Sequence, residues 1–215
     1  MKRVTAGALQ VSERGTRVAR VFRGTALVPL MAATVSAQQP GFVPGQVLAR
    51  FVPGSDASAL VVRVAERQPL DLTGLTGLAD RLGEGAGVPL KPTGLGSGHF
   101  CTFSLDTREL GDRLARRLRE RQRVERVEVS PDTATITLTV AFSPGSEESR
   151  MRPARLVASL ERELGVPLAG EASGQGRIVL HVNLEALTLT LVERVKALPD
   201  IESAQPNFVM KGFVR

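Results

Sequence analysis

Catalysis near neutral pH leans heavily on histidine and cysteine, and this sequence holds only His99, His181 and Cys101 among its 215 residues. An active site needs a nucleophile, a base and an orienting group within hydrogen-bond reach of one another. The two histidines fall in separate strand-like runs, 82 residues apart, and read as structural or surface strand residues. Cys101 sits between Phe100 and Phe103 in an alternating apolar run, the setting of a buried thiol that behaves as a small hydrophobe. One cysteine and two distant histidines do not make a transition-metal site.

Two further stretches have the residue types for ligand binding. Gly94, Gly96 and Gly98 form a GLGSG segment superficially like a phosphate-cradling loop. A dinucleotide fingerprint requires the last glycine to open a helix, and here the chain runs into a strand near His99, so a β-hairpin turn is expected. Arg113 to Arg126 carries seven arginines, but Leu110, Leu114 and Leu118 mark one apolar face among them, the pattern of a solvated helix with Arg/Glu pairs. The chain has neither Trp nor Tyr, which leaves little stacking surface for single-stranded nucleic acid. These residues point to no catalytic site, metal, cofactor or nucleic-acid partner.

Charge sharpens the last point. The first 37 residues hold six of the 28 basic side chains and one of the 22 acidic ones, so the remainder carries 22 against 21, a net +1. Those basic residues precede a short apolar stretch, Gly24 to Val35, and then Val35-Ser36-Ala37, small residues of the kind a signal peptidase accepts. Residues 1–37 therefore read as a signal peptide cleaved after Ala37, with export to a periplasmic or extracellular location. No uninterrupted apolar run reaches the ~18 residues of a membrane-spanning helix, so the mature chain is expected to have no membrane partner.

The elements that must position any site come in duplicate. Phe51-Val52-Pro53-Gly54-Ser55 returns as Phe142-Ser143-Pro144-Gly145-Ser146, 91 residues on, and Gly87-Val88-Pro89-Leu90 returns as Gly165-Val166-Pro167-Leu168, 78 residues on. Val124-Glu125 matches Ile201-Glu202 at an offset of 77, so one insertion of 13 residues separates the copies, between Ser55 and Gly87. In the second copy a strand over 135–142, a helix after Pro153, strands at Leu168 and Arg177–Val182, a helix marked by Leu184, Leu187, Leu191, Val195 and Leu198, and a strand from Ile201 give the order β-α-β-β-α-β. The first copy follows the scheme with strands at Gln46–Val52, His99–Leu105 and Val124–Val129 and a helix from Asp106 or Thr107 to about Gln122. Its inserted region, near 56–86, fits either two short helices or one helix and a loop, because Gly74 and Gly77 interrupt the leucine spacing.

The expected fold is α+β: two tandem ferredoxin-like units, over 44–130 and 134–211, followed by a tail at 212–215. Each unit is expected to form an antiparallel four-stranded sheet with its helices on one face and the other face open to a partner.

The run from Val195 to Val209 (VKALPDIESAQPNFV) closely resembles the end of the propeptide of subtilisin-like serine proteases, and Pro44 to Gly54 (PGQVLARFVPG) resembles its opening strand, especially in fervidolysin-type prodomains. The resemblance implies a non-catalytic protein whose partner is a subtilisin-like serine protease, acting in trans as its inhibitor or folding chaperone. It implies that Met210, Lys211, Gly212, Phe213, Val214 and Arg215 enter the protease cleft, and that Asp200 and Glu202 cap helices of the partner. Gln205 departs from the family's usual glutamate, none of the aspartate, histidine and serine motifs of a subtilase is present, and the first copy's closing motif has decayed to Val124-Glu125-Arg126-Val127-Glu128-Val129. Inhibition is accordingly expected of the second copy alone. The alternatives are a structural or protein-binding module, through self-association or a cell-surface partner, and a remnant of a split protease gene; the oligomeric state stays open.

Overall fold

The computed structural model describes residues 41–67, 70–96, 99–131, 135–174 and 176–208, all within one compact unit. Residues 1–37, expected to be a signal peptide, and the tail residues Met210 to Arg215 lie outside the described residues. The first half of the chain runs β1 (Phe42–Phe51), α1 (Asp56–Ala65), a 3-10 turn (Leu72–Leu75), α2 (Thr76–Ala86), β2 (Leu90–Leu95), β3 (Phe100–Leu105), α3 (Thr107–Arg119) and β4 (Val124–Pro131). The second runs β5 (Ile136–Phe142), α4 (Glu147–Arg150), α5 (Pro153–Leu164), β6 (Leu168–Ala172), β7 (Arg177–Val182), α6 (Leu184–Lys196) and β8 (Ile201–Phe208).

Local chemistry accounts for the helix limits. Asp106 and Asn183 accept from Glu109 N and Ala186 N, each at 3.0 Å, and so start α3 and α6 with a side-chain cap. Gly87 and Gly165, at φ 75° and 71°, end α2 and α5 in the left-handed conformation that other residues resist. The inserted region forms two helices and a 3-10 turn. Gly74 falls in the turn and Gly77 in the first turn of α2, so neither weakens a helix interior, while Leu75, Leu78 and Leu82 are buried.

The strands form two four-stranded sheets, β2-β3-β1-β8 and β4-β5-β7-β6, every paired neighbour antiparallel. The α+β class and the two antiparallel sheets agree with the sequence. The assignment of one complete sheet to each copy does not: the edge strand of each sheet comes from the other half of the chain. The helices travel with their strands, α6 packing on β1 and α3 on β5.

The connection between the copies explains the exchange. Pro131 pairs with Ile136, so only residues 132–135 separate β4 from β5. Antiparallel strands that follow one another so closely in the chain pair as a β-hairpin. It holds β4 against β5 and fills the edge position that β8 was expected to take, leaving β8 the equivalent place beside β1.

Despite the exchange the halves keep one geometry. Phe51 N donates to His99 O and Phe142 N to Gly176 O; Val52 N donates to Asp200 O and Ser143 N to Arg123 O. Each pair recurs at the offsets of 91 and 77 that separate the copies in sequence. Arg117 Nη1 donates to Leu164 O at 3.3 Å, and its counterpart Arg194 Nη1 donates to Ala86 O at 2.9 Å, so each exchanged helix steadies the C-terminus of its new neighbour.

Burial alternates along the strands. On β5 Ile136, Leu138, Val140 and Phe142 are buried under the helices, and Thr137, Thr139 and Ala141 stand half-exposed on the far side. Leu138→Ala is expected to cost about 2–5 kcal/mol of unfolding free energy and its neighbour Thr139→Ala less than about 0.5 kcal/mol, as read by urea denaturation. Equal costs would contradict the one-sided burial.

Candidate functional site

With the helices on one side of each sheet, the other side is where a partner can be met. On the first sheet that side is built from Gln46, Leu48 and Arg50 of β1, paired across to Ser104, Thr102 and Phe100 of β3. β8 completes it, Gln205 lying opposite Leu48 and Ser203 opposite Arg50. The β1 side chains are half-exposed and those of Ser203 and Gln205 exposed. The second sheet presents Thr137, Thr139 and Ala141 of β5 beside Val179 and His181 of β7, all likewise half-exposed. The two open faces therefore do not bury each other.

Arg50 organises the first face. A register shift between Arg50 and Phe51 lets Glu202 bulge from β8. This brings its carboxylate to 3.2 Å from Arg50 Nε, with both side chains about two-fifths exposed. The guanidinium also lies over the Phe100 ring, 5.4 Å from its centroid. At the other end Asn207 Nδ2 donates to Gln46 Oε1 at 2.7 Å. β8 is thus fastened across the face by side chains as well as by its backbone ladder.

Asp200 and Glu202, the residues expected to cap a partner's helices, are both exposed. They are not equally free. Asp200 spends its backbone carbonyl on Val52 N at 3.0 Å, whereas the Glu202 carboxylate is already shared with Arg50. Met210, Lys211, Gly212, Phe213, Val214 and Arg215, expected in a protease cleft, lie outside the described residues. Sequence reading missed Arg50, although its alternation with apolar neighbours on β1 was the available signal.

The chemistry-bearing residues are spread apart. His99 Nδ1 is 2.6 Å from the Ser58 hydroxyl, and His181 Nδ1 is 3.1 Å from that of Thr137. Ser58 is 1% exposed, which shuts a substrate away from it. Its contact with His99 ties the first turn of α1 to the start of β3. Of the seven arginines between 113 and 126, Arg113, Arg121, Arg123 and Arg126 meet glutamates, and Arg117 and Arg119 donate to backbone carbonyls. Arg123 and a backbone hydrogen bond hold the Glu148 carboxyl below its usual range, the backbone contributing most. Among the described residues no group of three or more His, Cys, Asp and Glu side chains is close enough to hold a metal ion, and no helix is long and apolar enough to cross a membrane. No protein-family model matches the chain, and no curated protein or solved structure matches it either.

Cys101 is buried, and burial pushes its thiol from 9.0 up to about 12. The folded thiol keeps its proton while the unfolded one begins to lose it near pH 9, so this group's contribution to stability is full below pH 9 and declines as pH rises toward 12. The stability difference between the native chain and Cys101→Ala should shrink over that interval in denaturation series at stepped pH. In addition, a thiol reagent at pH 8 should react with Cys101 only after denaturant is added; rapid labelling of the folded chain would contradict its burial.

Proposed function

We propose that this protein acts in trans as an inhibitor or folding chaperone of a subtilisin-like serine protease, after export and removal of residues 1–37. The observation that carries the reading is the setting of the propeptide-like segment Ile201–Phe208. It is the edge strand of the first sheet, completes the open face beside β1, and leads directly into Met210 to Arg215. Each sheet with its helices has the strand order of a ferredoxin-like unit whose fourth strand is borrowed.

On this reading the docking face is that of the first sheet, with Leu48, Arg50 and Phe100 against the enzyme. The tail continues from β8 and adds as an extended strand to the substrate cleft, backbone to backbone, with alternate side chains in its pockets. Asp200 is the readier helix cap. Glu202 has to share its carboxylate between Arg50 and a partner's helix N-terminus. The exchange also revises the division of labour, because the tail-bearing strand belongs to the second copy but the sheet that displays it belongs to the first.

Residues 38–215 are expected to inhibit at least one subtilase at micromolar concentration or below, and removing Met210 to Arg215 should weaken inhibition on the order of 100-fold. Leu48→Glu, on the first sheet's open face, should weaken it about 10-fold or more, while Val179→Glu on the second sheet should leave it unchanged. No inhibition across several subtilases, together with no gain in their refolding yield, would overturn the proposal. Equal effects of the two face variants would overturn the choice of face.

A further inference from the structure

The exchange of helix–strand pairs between the halves leaves a record in residue size. Superposing the copies by their sequence offsets aligns Gly45 with Ile136 on the opening strands and Gly111 with Thr188 on the exchanged helices. In the first sheet Thr188, fully buried on α6, faces Gly45: its hydroxyl accepts from Gly45 N at 2.6 Å and donates to Leu184 O at 2.6 Å. Gly45 has φ +79° and lies where the β1–β8 register shifts, between Phe42 and Val47, so the Thr188 hydroxyl serves an N–H at an irregularity of the ladder. In the second sheet the sizes are reversed. Gly111 on α3 lies between Val129 of its own β4 and Ile136 of β5: a Cβ built on it would stand 3.1 Å from Val129 Cγ1 and 3.4 Å from Ile136 Cγ2.

The unexchanged arrangement mismatches both sites. Gly111 over Gly45 would leave a void and a buried N–H without a hydroxyl to meet it. Thr188 over Ile136 would put a branched polar side chain where even a Cβ would already stand 3.4 Å from the isoleucine methyl, and its hydroxyl would have no N–H to meet. We infer that Gly45–Thr188 and Ile136–Gly111 form a paired recognition code by which each half of the chain accepts only the other half's helix–strand pair. Each half is thereby the obligate folding partner of the other. The code acts with the short β4–β5 connection, which sets where β4 lies, and it adds the selection of α6–β8 by β1.

A double-mutant cycle in the full chain, read by thermal unfolding, tests the code. Gly111→Val should lower the midpoint by roughly 5 °C or more, and by about 2 °C less in an Ile136→Ala background, the overlap with Val129 remaining, whereas Thr188→Val should lower it equally in both backgrounds. Additivity of Gly111 with Ile136, or coupling of Thr188 with Ile136, would overturn the inference. If Gly111→Val does not fold, Gly111→Ala supplies the same cycle with a milder overlap. Topology is read independently by cysteine pairs on the open faces, with buried Cys101 left in place. Leu48→Cys with Gln205→Cys should oxidise to an intrachain disulfide, and Thr139→Cys with Gln205→Cys should not. The reverse pattern would show the helix–strand pairs at home in their own halves, and the code would fall with it.

Discussion

The connection from Pro131 to Ile136 is the constraint on which most of the architecture rests. Two antiparallel strands so close in sequence pair with each other, and each fills the other's place on that side. Once β4 is committed to β5, the first sheet lacks an edge strand and β8 has no place in its own half. Everything that moves with those strands follows: α3 covers the second sheet, α6 covers the first, and Arg117 and Arg194 reach helix ends that belong to the opposite copy. A duplicated chain that would otherwise form two independent beads becomes a single body whose halves interlock.

Interlocking changes what the duplication means for function. If β8 belonged to its own half's sheet, the proposed function would need only the second copy. Here β8 lies against β1, held by the Glu202–Arg50 ion pair and the Asn207–Gln46 hydrogen bond, while the Thr188–Gly45 hydrogen bond ties α6 to β1 behind the sheet. The exposed ion pair adds little stability by itself, roughly 0–1 kcal/mol. Its effect is to orient Arg50 over Phe100 and to fix the bulge at Glu202. Under the proposed function, the first copy would present the other copy's closing strand on its own sheet.

Much of this was legible in the residues. Strand-like runs located β1, β5 and β7, and leucine spacing located α3 and α6, with Asp106 or Thr107 named as the cap of α3. The matched PGS and GVPL segments disclosed the repeat, and the structure repeats their hydrogen bonds. Strand partnership was not legible, because alternation reports which face a side chain occupies and is silent about the neighbouring strand. The gap between the expected units, 44–130 and 134–211, was short enough to have been taken as a hairpin. Gly111 and Thr188 carried no signal until the partnership was known, since a glycine and a threonine in helices register only as mild propensity costs. Arg50 was hidden for a related reason: its meaning depends on Glu202, which is adjacent only after the exchange.

Interstrand nuclear Overhauser effects test the interlocked architecture most directly, because they report which backbone lies beside β1 in solution without altering any residue. Residues Val47 to Ala49 are expected to show cross-strand contacts to Ala204 to Pro206 of β8, with Val127 to Val129 contacting Leu138 to Val140 of β5. Contacts from Val47–Ala49 to Val127–Val129 instead would place each closing strand in its own copy and contradict the account.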